Sequence, residues 1–414
     1  MGVLDLYHSH FRLKELEKHV VVLVLFCFHG SIFLHAQCNR YRSEIFNDVM
    51  ITSVFYSDIH TSLQMDVYQP LGDTFFQRPV IIFAHAGQFL NGNASSDPAA
   101  VEFCTRFAKR GYVTCSIDYR LATVAQLMDT VQALTAFTLS VNDLKSAIRY
   151  MRKDASTTNF FGTDSAQIFI GGNEAGAVLA NHCAFVDNIL EIPPFYAEII
   201  NTHGGIEGDG GNNGWSSQVM GVVNWCGGIN STSYLSADDE PLFSAHGDAD
   251  QVIDFFCNEA LHSTIGTLAN TLWLCGSGAM HPYAQSIGMS STLLTFPGAD
   301  TQPWISDHDI MDTVIEHTAE WLYGIVDCNT ASGIDAMPVP LKFSVAPNPV
   351  HNNLFVYDEN KNALVEIYNS LGERIFSAKR GANAIIDFSD YRNGIYVLKI
   401  SDNNFVSQKI LMKE

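Results

Sequence analysis

Basic residues are scarce in this 414-residue chain, with 23 Lys and Arg against 44 Asp and Glu, and they form no cluster. A phosphate-binding surface needs grouped Lys and Arg, so a formal net charge of −21 argues against a nucleic-acid partner. Low-complexity tracts are absent too. With 47% hydrophobic and 16% charged residues the chain can bury a core, which excludes wholesale disorder. None of the nine cysteines stands in a Cys-x-x-Cys pair, which argues against a zinc site.

Long apolar runs are also missing, with one exception from Val20 to Leu34. Arg12, Lys14 and Lys18 precede it, and a small residue, Ala36, follows. A basic segment, an apolar segment and a small residue make a signal peptide over 1–36. A membrane anchor is the alternative, but the run is short for a span and is interrupted by His29 and Gly30. A lipoprotein reading suffers from Gln37 before Cys38, where a small residue is wanted. Export puts the remaining eight cysteines, Cys38, Cys104, Cys115, Cys183, Cys226, Cys257, Cys275 and Cys328, in an oxidising compartment, where some disulfides are expected.

From about Ile45 to Tyr323, β-branched apolar runs alternate with helix-period segments, the pattern of a mostly parallel sheet flanked by helices. The strands predicted are Pro79 to His85, Tyr112 to Asp118, Gln167 to Gly172, Met220 to Cys226, Pro241 to Gly247 and Thr292 to Gly298. Val101 to Gly111 reads as a helix stopped by its glycine. Val141 to Ala155 reads as another, capped by Asn142 or Asp143, with Leu144, Ile148 and Met151 on one face. A linker-like stretch over 329–340 then leads into short alternating segments with Asn, Gly and Asp turns, which predict a small β-sandwich over 341–414.

That tail resembles the type A C-terminal sorting domain of the type IX secretion system. The likeness is carried by Pro347-Asn348-Pro349, by the VEIYNSLGERI strand-turn-strand, by Asn393-Gly394-Ile395-Tyr396 and by the closing Lys409 to Lys413. It implies the type IX machinery as a partner, passage across an outer membrane, and release or surface attachment.

The large domain, residues 37–328, resembles the secreted carboxylesterase-like α/β-hydrolases, including dienelactone-hydrolase and polyester-hydrolase relatives, over roughly Val54 to Tyr323. Four segments carry this likeness. LQMDVYQP, from Leu63, looks like the family's second strand, and HAGQFLNGN, from His85, is the counterpart of its HGGGF loop. In that loop the resemblance implies that the N–H groups of Gly87 and Gln88 face a developing oxyanion. Asp118-Tyr119-Arg120 ends the next strand, with Arg120 expected to anchor a loop. The fourth segment holds Gly172-Asn173-Glu174-Ala175-Gly176, a nucleophile elbow in every steric respect, with Ala175 N–H as a further oxyanion donor.

The resemblance implies Ser at position 174, yet Glu174 stands there. HGDADQVID places Asp250 where the family's acid orients an imidazole. The histidine is expected in the loop after the last strand, where PGADTQPW aligns Thr301 with it, and Thr cannot shuttle a proton at neutral pH. His308, seven residues on, reaches the site only if the loop folds back. Otherwise it starts the last helix, capped by Asp307 or Asp309, with His317 an ordinary residue of that helix.

Three readings stay open: a non-catalytic relative that keeps the pocket, Glu174 as a carboxylate nucleophile with water activated by His308, and Glu174 as a general base. The last is weakest, because a helix N-terminus depresses a carboxylate's pKa. Glu207 to Trp215 is acidic and Gly-rich but lacks EF-hand spacing, and reads more simply as a surface loop bordering the pocket. Asp307, His308, Asp309 and Asp312 are better explained by capping than by a metal. The expectation is therefore a secreted or surface-attached α/β-hydrolase-fold protein with a small ester or polyester-like ligand, no cofactor, no metal and no stable membrane span.

Overall fold

The computed structural model describes residues 40–260, 272–326, 343–358, 363–380, 384–401 and 406–414. The expected signal peptide over 1–36 and the linker over 329–340 lie outside them.

The strands β1 (Val49–Phe55), β2 (Gln64–Pro70), β3 (Arg78–Ala84), β4 (Val113–Ile117), β5 (Thr163–Asn173), β6 (Val222–Trp225), β7 (Leu242–Gly247) and β8 (Ser291–Phe296) form one eight-stranded sheet in the order β1-β2-β4-β3-β5-β6-β7-β8. β2 pairs antiparallel with β1 and β4, and every other pairing is parallel. This is the mostly parallel sheet that the sequence implied, with all six predicted strands present. The helices are α1 (Pro98–Lys109), α2 (Thr130–Ser156), α3 (Ala175–Phe185), α4 (Pro194–Thr202), α5 (Ser277–Ile287) and α6 (His308–Tyr323), besides a helical turn at Val124–Leu127.

Alternation along β3 shows why both faces must be covered. Val80, Ile82 and Ala84 join Leu144, Ile148 and Met151 of α2 and Val178 of α3 in one cluster. Ile81 and Phe83 face the other way, onto Phe103 and Phe107 of α1 and Val314 and Ile315 of α6. A strand buried on both sides has to read as a continuous apolar run. Each large apolar side chain taken fully from water contributes roughly 1.5–3 kcal/mol, so the two layers clamp the centre of the sheet and leave its C-terminal edge to the loops.

Helix α1 begins at Asp97, whose carboxylate accepts the Ala99 N–H at 3.0 Å, and stops before Gly111 at φ +102°. Helix α2 corrects an expectation. Neither Asn142 nor Asp143 caps it: Asp129 does, and the helix runs 27 residues. Both residues lie mid-helix because tertiary partners satisfy them. Asp143 holds Arg120 by side-chain bonds of 2.7–3.0 Å, so Arg120 anchors its loop as expected, and Asn142 bonds His203 O and Asp209.

A three-stranded antiparallel ribbon, Gly228–Ile229, Trp273–Gly276 and Cys257–Glu259, lies beside the sheet and carries the disulfide Cys257–Cys275. Cys104, Cys115, Cys183 and Cys226 are buried free thiols. The tail forms two antiparallel sheets. In one, β9 (Phe343–Ala346), β10 (Asn353–Asp358) and β13 (Ala384–Asp387) pair in the order β9-β10-β13; in the other, β12 (Arg374–Arg380), β11 (Ala363–Asn369), β14 (Gly394–Ser401) and β15 (Val406–Lys413) pair in the order β12-β11-β14-β15. Leu354, Val356, Ile367, Leu398, Ile400 and Leu411 pack between them, as a β-sandwich requires.

Candidate active site

Strand β5 ends in the elbow. A Cβ on Gly172 would stand 2.1 Å from the carbonyl carbon of Gly176, and one on Gly176 would stand 2.0 Å from Ala84 O. No side chain fits either place. Between them Glu174 takes φ 51° and ψ −111°, costly for a residue with a Cβ and maintained only where surrounding packing dictates it. Its N–H donates to Trp225 O at 2.8 Å. The turn therefore delivers the side chain of residue 174 to the C-terminal edge of the sheet, at the start of α3.

The carboxylate does not stand free there. Its Oε2 accepts the Gly87 N–H at 2.8 Å and the Gln88 N–H at 3.2 Å, and the Ala175 N–H also favours its charged form. Two of the three expected oxyanion donors, Gly87 and Gln88 N–H, thus take the protein's own carboxylate as their acceptor, with the Ala175 N–H beside it. Glu174 is only 3% exposed. Burial raises its pKa above the ordinary value, the three N–H groups pull it back, and the nearby charge of Asp250 pushes it further up.

Asp97, which the sequence reading passed over, ties this arrangement together. Its Oδ2 accepts from Ala86 N at 2.8 Å and from Asn173 Nδ2 at 3.2 Å, joining the loop after β3 to the elbow. Asn173 also donates to Gln302 Oε1 at 2.6 Å. Asp97 carried a signal, since Asp before Pro-Ala-Ala is a helix N-cap pattern. Its second duty, and the one performed by Gln302, had none.

Asp250 lies in the loop after β7, 5% exposed. Its Oδ1 accepts from Val252 N at 2.7 Å and Ile253 N at 3.0 Å. Its Oδ2 stands 3.3 Å from Nε2 of His246, but that nitrogen also lies 3.0 Å from Ile253 O, an acceptor that only an N–H can satisfy. With the hydrogen committed there, and with His246 Nδ1 against Ser277 Oγ at 2.8 Å, Asp250 Oδ2 is buried without a hydrogen bond. Thr301 Oγ1 is buried in the same condition.

His308 does not join the site. It is the first residue of α6, exposed, and Asp307 caps the helix by accepting from Asp309 N and Ile310 N. No hydrogen bond links it to Glu174 or Asp250 among the described residues. Asp312 bonds Arg106 at 2.8 Å, and His317 caps back onto Thr313 O. Among the described residues no group of three His, Cys, Asp or Glu side chains converges as metal ligands do.

An apolar cavity of about 720 Å³, its open mouth included, starts at Glu174 and runs between Ala133, Ala136 and Phe137 of α2, Val178 of α3, and Leu272 and Leu274 beside the ribbon. On the other side of Glu174 a polar recess is lined by Asn91, Ser96, Asp97 and Gln302. The Glu207–Trp215 loop borders neither. It packs on α2 instead, where Arg149 donates to Gly211 O and Glu207 O.

Residues 65–230 match the model of the BD-FAE family, and residues 344–414 match that of the secretion system C-terminal sorting domain. The chain carries an esterase-like α/β-hydrolase domain and a secretion sorting domain. Among solved structures it is similar to esterase 2 of Thermogutta terrifontis. The apo form is 19% identical, with a TM-score of 0.47 over 68% of this chain and 96% of that one. The propionate-bound form is 20% identical, with 0.47 over 67% and 95%, and the form phosphonylated by sarin is 19% identical, with 0.48 over 68% and 96%. No curated protein matches the chain. The esterase-like domain accounts for the elbow and the loop after β3, and the sorting domain marks the chain for secretion or cell-surface attachment. Among the described residues no helix is long and apolar enough to cross a membrane.

Proposed function

We propose that the esterase-like domain is a binding protein that holds a small apolar-bodied molecule, of the size class of short acyl esters or polyester fragments, without serine-type hydrolysis. The observation that carries this reading is the placement of the Glu174 carboxylate on the Gly87 and Gln88 N–H groups. Serine-type hydrolysis requires a hydroxyl nucleophile, an imidazole to take its proton, and free N–H donors for the oxyanion. Here residue 174 lacks the hydroxyl, its carboxylate takes the donors, and Thr301 stands where the imidazole is expected. The pocket, by contrast, keeps its apolar walls.

The test is hydrolysis of p-nitrophenyl acetate and butyrate by the full chain. The unmodified protein and Glu174→Ser are expected to stay at background. The double variant Glu174→Ser, Thr301→His is expected to gain about 10²-fold or more, the usual worth of a placed general base. Turnover by the unmodified chain that disappears in Glu174→Gln overturns the reading in favour of Glu174 as nucleophile or base.

A further inference from the structure

In an esterase pocket the reacting end offers hydrogen-bond donors, and so selects ligands that bring an acceptor, such as an ester carbonyl or a carboxylate. Glu174 reverses that offer. The N–H groups of Gly87 and Gln88 are occupied by its Oε2, and the group that closes the apolar cavity is now the carboxylate itself. No Lys, Arg or His forms an ion pair with Glu174 among the described residues. A second carboxylate, Asp250, stands near enough for its charge to act on Glu174.

The remaining lining adds little that is polar. Gln88 contributes to the wall, and the Ser140 hydroxyl is committed to Arg120 O and Ala136 O. The cavity thus ends in a buried carboxyl group with no cationic side chain paired to it among the described residues, and its walls are aliphatic and aromatic. An anionic head placed there meets like charge and finds the donors taken. An ammonium head gains a charge-assisted bond to Glu174 while its alkyl body fills the apolar walls.

We propose that this pocket selects ligands with a cationic, hydrogen-bond-donating head, primary alkylamines as a class, over the carboxylates and esters of similar shape. The proposal rests on the binding reading above and names the head group of its ligand.

The experiment uses the full chain and three probes of matched length, n-hexylamine, hexanoate and methyl hexanoate, titrated by calorimetry at pH 7 with thermal unfolding as a second readout. Hexylamine is expected to bind at least about tenfold more tightly than either of the others, the worth of one charge-assisted hydrogen bond. In the isosteric Glu174→Gln the amine is expected to lose about tenfold. In Glu174→Ser, which frees the Gly87 and Gln88 donors, the preference is expected to turn toward hexanoate. Binding of hexanoate or the ester in preference to the amine by the unmodified chain overturns the proposal and leaves the binding reading standing. Binding of none of the three overturns both. Equal amine affinity in Glu174→Gln, with the variant shown folded by its unfolding transition, also overturns it, since the carboxylate would then not be the recognising group.

Discussion

At the elbow, Glu174 is embedded: three N–H groups act on its carboxylate, its own N–H is bonded, and glycines on either side leave no slack. In the loop after β8, Thr301 is the reverse case. Its hydroxyl is buried and bonds nothing, and one carboxylate oxygen of Asp250 is buried and unbonded with it. Both positions differ from what the sequence resemblance led us to expect, yet the Glu174 carboxylate is hydrogen-bonded and the Thr301 hydroxyl is not. The difference lies in what each site offered. The elbow presents donors, and a carboxylate is an acceptor that reaches them. In the loop after β8 and the one after β7, the Thr301 hydroxyl and Asp250 Oδ2 each stand buried with no donor or acceptor placed to meet them.

The largest effect separating the two regions is steric. Gly176→Ala would drive a methyl into Ala84 O, 2.0 Å away, and is expected to cost about 3 kcal/mol or prevent folding. In the loop after β8, Gly298 has open space and only its φ of +72° to answer for, so Gly298→Ala is expected to cost about 1 kcal/mol. Urea midpoints at constant slope check both. Equal costs would remove the claim that the elbow is the rigid member.

A second contrast is electrostatic. Because burial raises the folded-state pKa of Glu174, its contribution to stability is fully present below the unfolded value near 4.5 and is lost as pH rises through the higher folded value. Glu174→Gln lacks that loss, so the variant's stability relative to the unmodified chain should climb with pH across that window and level off above it. Each unit of pKa shift is worth about 1.4 kcal/mol. A pH-independent difference between the two proteins would mean that the N–H groups cancel the burial. Asp250→Asn, which removes the nearby charge, should narrow the window.

The smallest effect belongs to the loop. Thr301→Val deletes a buried hydroxyl that has no partner and is expected to be neutral or to stabilise by up to about 1 kcal/mol, read as a small rise in Tm. A loss of 1 kcal/mol or more would show that the hydroxyl is bonded in solution and that the loop, too, has been rebuilt.

Much of this was legible in the residues. Apolar runs such as Val80–Ala84 could only be strands buried on both faces, and Gly172 and Gly176 announced the elbow through the side chains they lack. Asn142 and Asp143 misled because a polar pair before an apolar stretch reads as a cap, while Arg120, His203 O and Asp209 satisfy it in mid-helix. The loop Glu207–Trp215 misled in the same way, its carbonyls meeting Arg149 on α2 rather than the pocket.

By itself the sequence determined the order of elements and the elbow, since local sterics and periodicity act over a few residues. Only the tertiary structure decided that the carboxylate of Glu174 lands on the Gly87 and Gln88 N–H groups, that His308 stays on the surface, and that Asp250 keeps an unbonded oxygen. The first of these depends on a contact between segments 86–87 residues apart, and the others on which of several local hydrogen-bond partners the packing selects. Hydrogen-bond geometry across such distances is set by packing and leaves no pattern along the chain.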